Sequence, residues 1–273
     1  MVVSRIVPAL GFLRDLEVQP SITTNGIQVF ALRRTQATRR LSYRTLDEAL
    51  AAKLIAVSAA HEEGGKPTFR IMNQSRAQVF LMAGEHLVAA REDLVLDASL
   101  LVGPQETMKV PASRVHRDVD ANPGGRLDGL LPPKDAAGVV FTVGDRIAAF
   151  ELFDRKETLR KVWPKILRAH EQELGATPSG EAITHERVLA WLETAAASHC
   201  EHDPAPGMGQ SLRFRGEGLA GRALLIEHEL LHASIAASES AASQAATAPQ
   251  SEPGSRLPQE EVGTQARVTI ARG

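Results

Sequence analysis

Three stretches of the chain carry residue types able to do chemistry. His228-Glu229-Leu230-Leu231-His232 has the H-E-x-x-H form of zinc peptidases. In those enzymes two histidines one helical turn apart share the metal and the glutamate activates water. That chemistry requires a helix. On a strand, four residues at ~3.3 Å rise separate the imidazoles by about 13 Å, too far to share an ion with bonds near ~2.1 Å. The flanks read as strand: Leu212-Arg213-Phe214-Arg215 alternates, and Ala223-Leu224-Leu225-Ile226 and Leu230-Leu231-His232-Ala233-Ser234-Ile235 lie either side of the polar link Glu227-His228-Glu229. The pattern predicts a β-hairpin with His228 at its tip and no metal site. His199-Cys200-Glu201-His202 is a second metal-like cluster. It reads as a helix end, where a cationic histidine is favourable against the dipole, and it has no matching second pair. The third candidate is Glu85, which follows the apolar run Val79 to Ala83 and Gly84. A carboxylate at a strand end near a core is desolvated and needs a cation. Arg91, a few residues on, and Arg114, past the apolar run ending at Val110-Pro111, are the expected partners, with His116 at the same edge. Two arginines beside a carboxylate form either a closed ion pair or a pocket for an anionic ligand, the carboxylate taking a sugar hydroxyl.

The elements that must position these residues are mostly strands. Thr45-Leu46-Asp47-Glu48 has capping-box spacing and opens a helix carrying Leu46, Ala49, Leu50 and Leu54 on one face. A second helix, capped by Asp154 and stopping at Gly175, carries Leu159, Val162, Trp163, Ile166 and Leu167 at helical spacing with Pro164 inside it. A third is expected from Thr184 to Ser198. Ile27–Leu32, Thr68–Met72, Gln78–Leu81, Val95–Leu101 and Thr107–Val110 read as strands, and two apolar runs around Gly144-Asp145 read as a hairpin. Strands in runs rather than in alternation with helices indicate an α+β fold. The expectation is a β-rich single domain over 1–236 with about three helices. Over 237–273, Ser, Ala, Pro and Gln dominate, so too little apolar surface is available to offset ordering entropy; a disordered tail is expected there.

Composition narrows the function classes. In 273 residues, 43% are hydrophobic and 23% charged, enough for a sizeable core. The net charge of -2 provides no global field toward nucleic acid or an anionic membrane. The local cluster Arg33, Arg34, Arg39, Arg40 and Arg44 reads as a solvated loop. Aromatic residues at 4% are too few for a base-stacking platform. A single cysteine, Cys200, excludes an internal disulfide and a multi-cysteine zinc module. The first sixteen residues lack a long apolar stretch, and no run approaches the ~20 apolar residues of a membrane helix. A soluble, cytoplasmic protein is expected.

The order of motifs is specific as a set. Gly26-Ile27-Gln28-Val29-Phe30 leads to Thr45-Leu46-Asp47-Glu48-Ala49-Leu50, then to Val79-Phe80-Leu81-Met82-Ala83-Gly84-Glu85 and Val110-Pro111-Ala112-Ser113. Phe153-Asp154, Val162-Trp163-Pro164-Lys165, Gly218-Leu219-Ala220-Gly221 and His232 follow. In this order the chain resembles the ARG and rhodanese-phosphatase-superfamily-associated protein domain family, where ARG stands for ADP-ribosylglycohydrolase. The resemblance implies a contextual link to ADP-ribose or nucleotide metabolism. The chain departs from it in two places. Where the family carries a Lys-Gln-Asn-Arg-like run, this chain has Arg91-Glu92-Asp93, and where the family places Cys and Glu, it has Arg114 and His116. The expected function is a ligand-binding or accessory protein with some family positions replaced, taking a nucleotide or ADP-ribose-like small molecule at Glu85, Arg91, Arg114 and His116. No cofactor, nucleic acid or membrane partner is expected, and protein partners are not specified. Two alternatives stay open: a metal-dependent hydrolase acting through His228, Glu229 and His232, and a scaffold that recruits partners with its tail. Whether the protein is an enzyme is open with them.

Overall fold

The structure, a computed structural model, describes residues 10–36, 41–61, 67–89, 92–114, 127, 129–216 and 218–237. In chain order the elements are β1 (Leu16–Val18), β2 (Ile22–Thr24), β3 (Ile27–Arg34), β4 (Tyr43–Thr45), α1 (Leu46–Ala51), β5 (Ile55–His61), β6 (Pro67–Asn73), β7 (Gln78–Leu81), β8 (His86–Ala89), β9 (Glu92–Leu96), β10 (Leu100–Val102) and β11 (Thr107–Arg114). They continue with β12 (Gly138–Val143), β13 (Arg146–Phe153), α2 (Lys156–Ala169), α3 (Glu171–Gly175), α4 (His185–Ala196), β14 (His199–Pro204), β15 (Gln210–Gly216), β16 (Leu219–Ile226) and β17 (Glu229–Ala237). The tail expected beyond β17 lies outside the described residues.

A nine-stranded sheet in the order β1-β3-β12-β13-β17-β16-β15-β14, with β2 against β3, forms the floor. Inside it, β12 and β13 are buried along nearly their whole length, as strands covered on both faces must be, with Thr142 and Glu151 the buried polar residues among apolar ones. One face packs Phe30, Leu32, Val140, Phe150 and Leu152 against Val188 and Leu192 of α4. The other packs Val139, Phe141, Phe153 and Leu231 against Leu159, Val162, Trp163 and Ile166 of α2. Above that second face lie a three-stranded sheet, β10-β7-β4, and a five-stranded sheet, β5-β6-β11-β9-β8. Strand β7 is a shared wall. Its alternation sends Phe80 toward the large sheet, with Met82 just beyond it, and Val79 and Leu81 into a third core with Leu46, Phe69, Ile71 and Val110.

The β-rich α+β reading holds, with four α-helices among the described residues rather than about three. The helix expected from Asp154 to Gly175 is two: α2 ends at Ala169 and α3 begins at Glu171, with His170 between them outside helical geometry. Asp154 does not cap α2; its N-cap is Arg155, without a side-chain cap hydrogen bond, because the Asp154 carboxylate is held by Tyr43. The third helix is α4, capped by the Thr184 hydroxyl accepting from Arg187 N–H at 3.3 Å. The capping-box glutamate of α1 is in place, the Glu48 carboxylate accepting from Thr45 N–H at 2.9 Å, but that helix ends at Ala51, before Leu54. His199–His202, read as a helix end, belongs to edge strand β14 instead, paired with β15. Its neighbour already offers an unpaired strand edge, which decides the conformation over local pattern. Val95–Leu101, read as one strand, is split at Asp97–Ser99 into β9 and β10, which lie in different sheets. Arg33 and Arg34 end β3 and Arg44 lies in β4, so these three are strand residues, not a loop; Arg39 and Arg40 lie outside the described residues.

Candidate functional site

The motif stretches converge on one turn. After β7, Met82-Ala83-Gly84-Glu85 reverses direction, with Glu85 N–H returning to Met82 O at 3.3 Å and Gly84 N–H bonding Leu96 O at 2.9 Å. Gly84 adopts φ +77°, and a Cβ there would stand 3.0 Å from Ala169 Cβ, so both backbone geometry and the close approach of α2 call for glycine. The turn throws Glu85 to one side and leaves Ala83 N–H on the other.

On the first side, the Glu85 side chain is buried and accepts from Met82 N–H at 3.1 Å. Its cation is Lys165 of α2, which also meets Asp47 of α1 at 2.9 Å. Burial would depress the Lys165 ammonium, but Glu85 and Asp47 outweigh it and hold its pKa above the ordinary value. Arg114, one of the expected partners of Glu85, is not in this contact. Arg114, at the end of β11 opposite Leu94, carries an exposed side chain. Arg91 and His116 lie outside the described residues. The signal for Lys165 was present in the motif Val162-Trp163-Pro164-Lys165, but a separation of 80 residues hid the pairing.

On the second side, Ala83 N–H donates to Ser99 Oγ at 2.8 Å, and Ser99 Oγ lies 2.7 Å from His232 Nδ1. His232 Nε2 lies 2.6 Å from Glu151 Oε2. The other Glu151 oxygen meets His170 Nε2 at 2.8 Å and accepts from the Ser234 hydroxyl at 3.0 Å. Register explains the gathering: Glu151 of β13 sits directly opposite Ser234 of β17, and His232, two residues earlier, shares that face beside Phe153. The His232 ring is flanked by Phe153 and Phe80, with centroids at 4.6 and 5.9 Å. Burial would raise the Glu151 carboxyl, but His232 and His170 outweigh it and bring its pKa down to about 2. Burial would lower His170, but the Glu151 carboxylate raises it above the ordinary histidine value. An ionised carboxylate only accepts, so Nε2 of His232 carries its hydrogen toward Glu151. In a neutral ring Nδ1 then accepts the Ser99 hydroxyl. Ser99, Ser211, Arg222, His232 and Ser234 line a small cleft of about 20 Å³, room for one water. Arg222 sits at its rim, donating to Asp97 O at 2.8 Å.

The H-E-x-x-H stretch is a hairpin, with Ile226 opposite Glu229 and a two-residue turn at Glu227-His228 whose φ values of 51° and 69° are those of a tight hairpin turn. His228 is exposed at the tip while His232 points inward to Glu151, so the two histidines do not share a face of a helix. Among the described residues, no group of three or more His, Cys, Asp or Glu is placed to hold a metal ion. Ser99, Glu151 and His170 were not legible as site residues: each stands alone in its local sequence.

A third polar cluster lies beside the start of α2. Tyr43 donates to Asp154 Oδ1 at 2.5 Å and contacts the Thr158 hydroxyl, while the Arg155 guanidinium lies 4.1 Å over the Tyr43 ring. Burial, with Asp154 beside it, pushes the Tyr43 phenol far above its ordinary value.

No curated protein and no solved structure matches the chain. No helix among the described residues is long and apolar enough to cross a membrane. The sequence profile of one family matches residues 15–118 and 125–236, a span that holds every member of the two networks around the Gly84 turn. The chain belongs to the ARG and Rhodanese-Phosphatase-superfamily-associated Protein domain family.

Proposed function

We propose that the protein is a ligand-binding accessory domain of ADP-ribose or nucleotide metabolism, and that its motif residues build a closed polar core instead of a reacting centre. One observation supports this reading above the others: each charged group around the Gly84 turn meets its counter-charge inside the protein. Lys165 is spent on Glu85 and Asp47, and Glu151 on His170 and His232. Such a network rigidifies a fold and leaves no free acid or base. The test is thermal shift with calorimetry on the full chain against ADP-ribose, NAD and ADP. A ligand should raise the melting temperature without being consumed, since binding to the native state adds to its stability. Absence of a shift with all three would refute the nucleotide link.

The Ser99–His232–Glu151 chain favours a second reading, ester hydrolysis with Ser99 as nucleophile. Its contacts of 2.7 and 2.6 Å are those of a nucleophile, base and orienting carboxylate. Against it, serine meets Nδ1 and carboxylate Nε2, the reverse of the usual serine-hydrolase arrangement, and the cleft above has room for only about one water. A fluorophosphonate probe separates the readings. In the hydrolytic case Ser99 Oγ bonds phosphorus, fluoride leaves and the hydroxyl proton passes to His232; the adduct would be absent in Ser99→Ala. The accessory reading expects no adduct.

A further inference from the structure

A cavity lies away from these networks, where β3 ends beside the start of α2. It is an open groove of about 390 Å³, and Arg33, Arg34 and Lys156 supply its cations. Arg34 holds the unusual position. It is half-buried opposite Leu16 of β1, and its Nε and Nη1 are buried without any hydrogen-bond acceptor among the described residues. Guanidinium donors buried without acceptors are costly, and a native site that carries them either binds an acceptor or loses stability. Burial pulls the Arg34 pKa below its ordinary value, with Glu229, Asp154 and Asp15 opposing the effect through space.

Those carboxylates are the obvious internal partners, and most are engaged elsewhere. Asp154 takes the Tyr43 hydroxyl at 2.5 Å. Asp15 accepts from Gln36 Nε2 at 3.0 Å. Asp135, on the groove wall, is held by Lys156 at 2.6 Å. None, Glu229 included, reaches the two Arg34 nitrogens. The other wall is the start of α2, a 14-residue helix with no side-chain cap, so its first amides and its dipole add positive potential there. A cavity of this size accepts a small molecule, and unpaired guanidinium donors beside an uncapped helix start suit phosphate oxygens.

We propose that this groove is an anion site for the phosphates of a diphosphate-bearing ligand, with Arg34 as the principal donor and Arg33 and Lys156 as supporting charges. Lys156 can exchange Asp135 for the ligand, since that pair is solvent-exposed on both sides and such pairs are weak. The assignment deepens the accessory-binding reading and rests on it only for the nucleoside part of the ligand.

The experiment titrates the full chain with inorganic pyrophosphate, ADP, ADP-ribose and adenosine, in the wild type and in Arg34→Met and Lys156→Met. Pyrophosphate and ADP should bind and adenosine should not. Arg34→Met should weaken both by on the order of tenfold or more, the scale of a lost charged hydrogen bond, and Lys156→Met by less. Arg34→Met should also keep or raise the melting temperature, because it removes a buried cation that has no acceptor. Failure of the wild type to bind pyrophosphate overturns the proposal. So does undiminished binding in Arg34→Met, or a melting temperature lowered by several degrees, which would mark Arg34 as a structural partner of the surrounding carboxylates. If ADP-ribose binds the Arg34→Met protein undiminished, the groove falls and the accessory reading stands. If pyrophosphate binding depends on Arg34 but no nucleotide binds, the groove stands and the nucleotide link falls.

Discussion

The polar cluster around the Gly84 turn and the groove beside Arg34 are built from the same kinds of side chain, yet one is saturated and the other is not. Around the turn, Glu85, Lys165, Glu151, His170 and His232 are each met by an opposite charge or a hydrogen bond, and the rings of Phe80 and Phe153 pack on His232. Beside the groove, two buried guanidinium nitrogens have no acceptor among the described residues. A saturated network acts on the fold: removing one member leaves another buried and uncompensated. An unsaturated one can give up a member without loss and contributes only when something binds. Motif residues identify the first kind of site and cannot by themselves tell it from a reacting centre.

The largest effect that tests this contrast is at Glu151. Glu151→Ala strips the acceptor from His170, His232 and Ser234 together and should destabilise by about 3–5 kcal/mol, the range for breaking a buried pair. Urea unfolding reads it directly. A loss under about 1 kcal/mol would show that the network is not structural.

Lys165→Met comes next, at about 3 kcal/mol, since it leaves Glu85 buried without a cation. Adding Glu85→Leu should recover most of that loss, because the orphaned carboxylate is then gone. Additive losses in the double variant would mean that the two residues are not energetically coupled.

A smaller effect is expected from pH. Glu151 titrates at about 2 in the fold against an ordinary 4.5, so its contribution is complete above pH 4.5 and is lost as pH falls toward 2. His170 is raised from 6.5, so its contribution is complete below pH 6.5 and is lost as pH rises through the raised value. Both are intact between pH 4.5 and 6.5, and stability from this network should be greatest there. His170→Gln should flatten the alkaline limb of the stability profile and leave the acid limb in place. An unchanged alkaline limb would remove His170 from the account.

The smallest effect is expected from deleting residues 240–273. Their Ser, Ala, Pro and Gln content gives them little apolar surface to bury, so the melting temperature should shift by no more than about 0.5 kcal/mol implies. A large fall would place part of that segment in the folded unit.

The hairpins were legible because their signals are local. Gly144-Asp145 between apolar runs gives the β12–β13 turn, and Glu227-His228 gives the β16–β17 turn. The break at Asp97–Ser99 was not legible, since Val95 to Leu101 alternates well enough for one strand. It is sheet membership that divides it, and the division frees Ser99 to face His232. Lys165 was not legible as a partner of Glu85 for a related reason. Chain proximity favoured Arg91, and the helix that supplies Lys165 is placed by tertiary packing. Position along the strand predicted that Glu85 is buried; only the fold could say what meets it.

The strand order carries a consequence for how the molecule comes into being. β13 has β12 on one side and β17 on the other, so the middle of the large sheet is completed by the last of the described strands to leave the ribosome. Until then Glu151 waits for a histidine 81 residues downstream, with one edge of the most apolar strand pair open to other chains. Contacts of such long sequence separation are slow to form, and open edges of this kind recruit neighbours. Nascent chains of this protein are therefore most exposed to aggregation late in synthesis, in the interval between the emergence of β13 and that of β17.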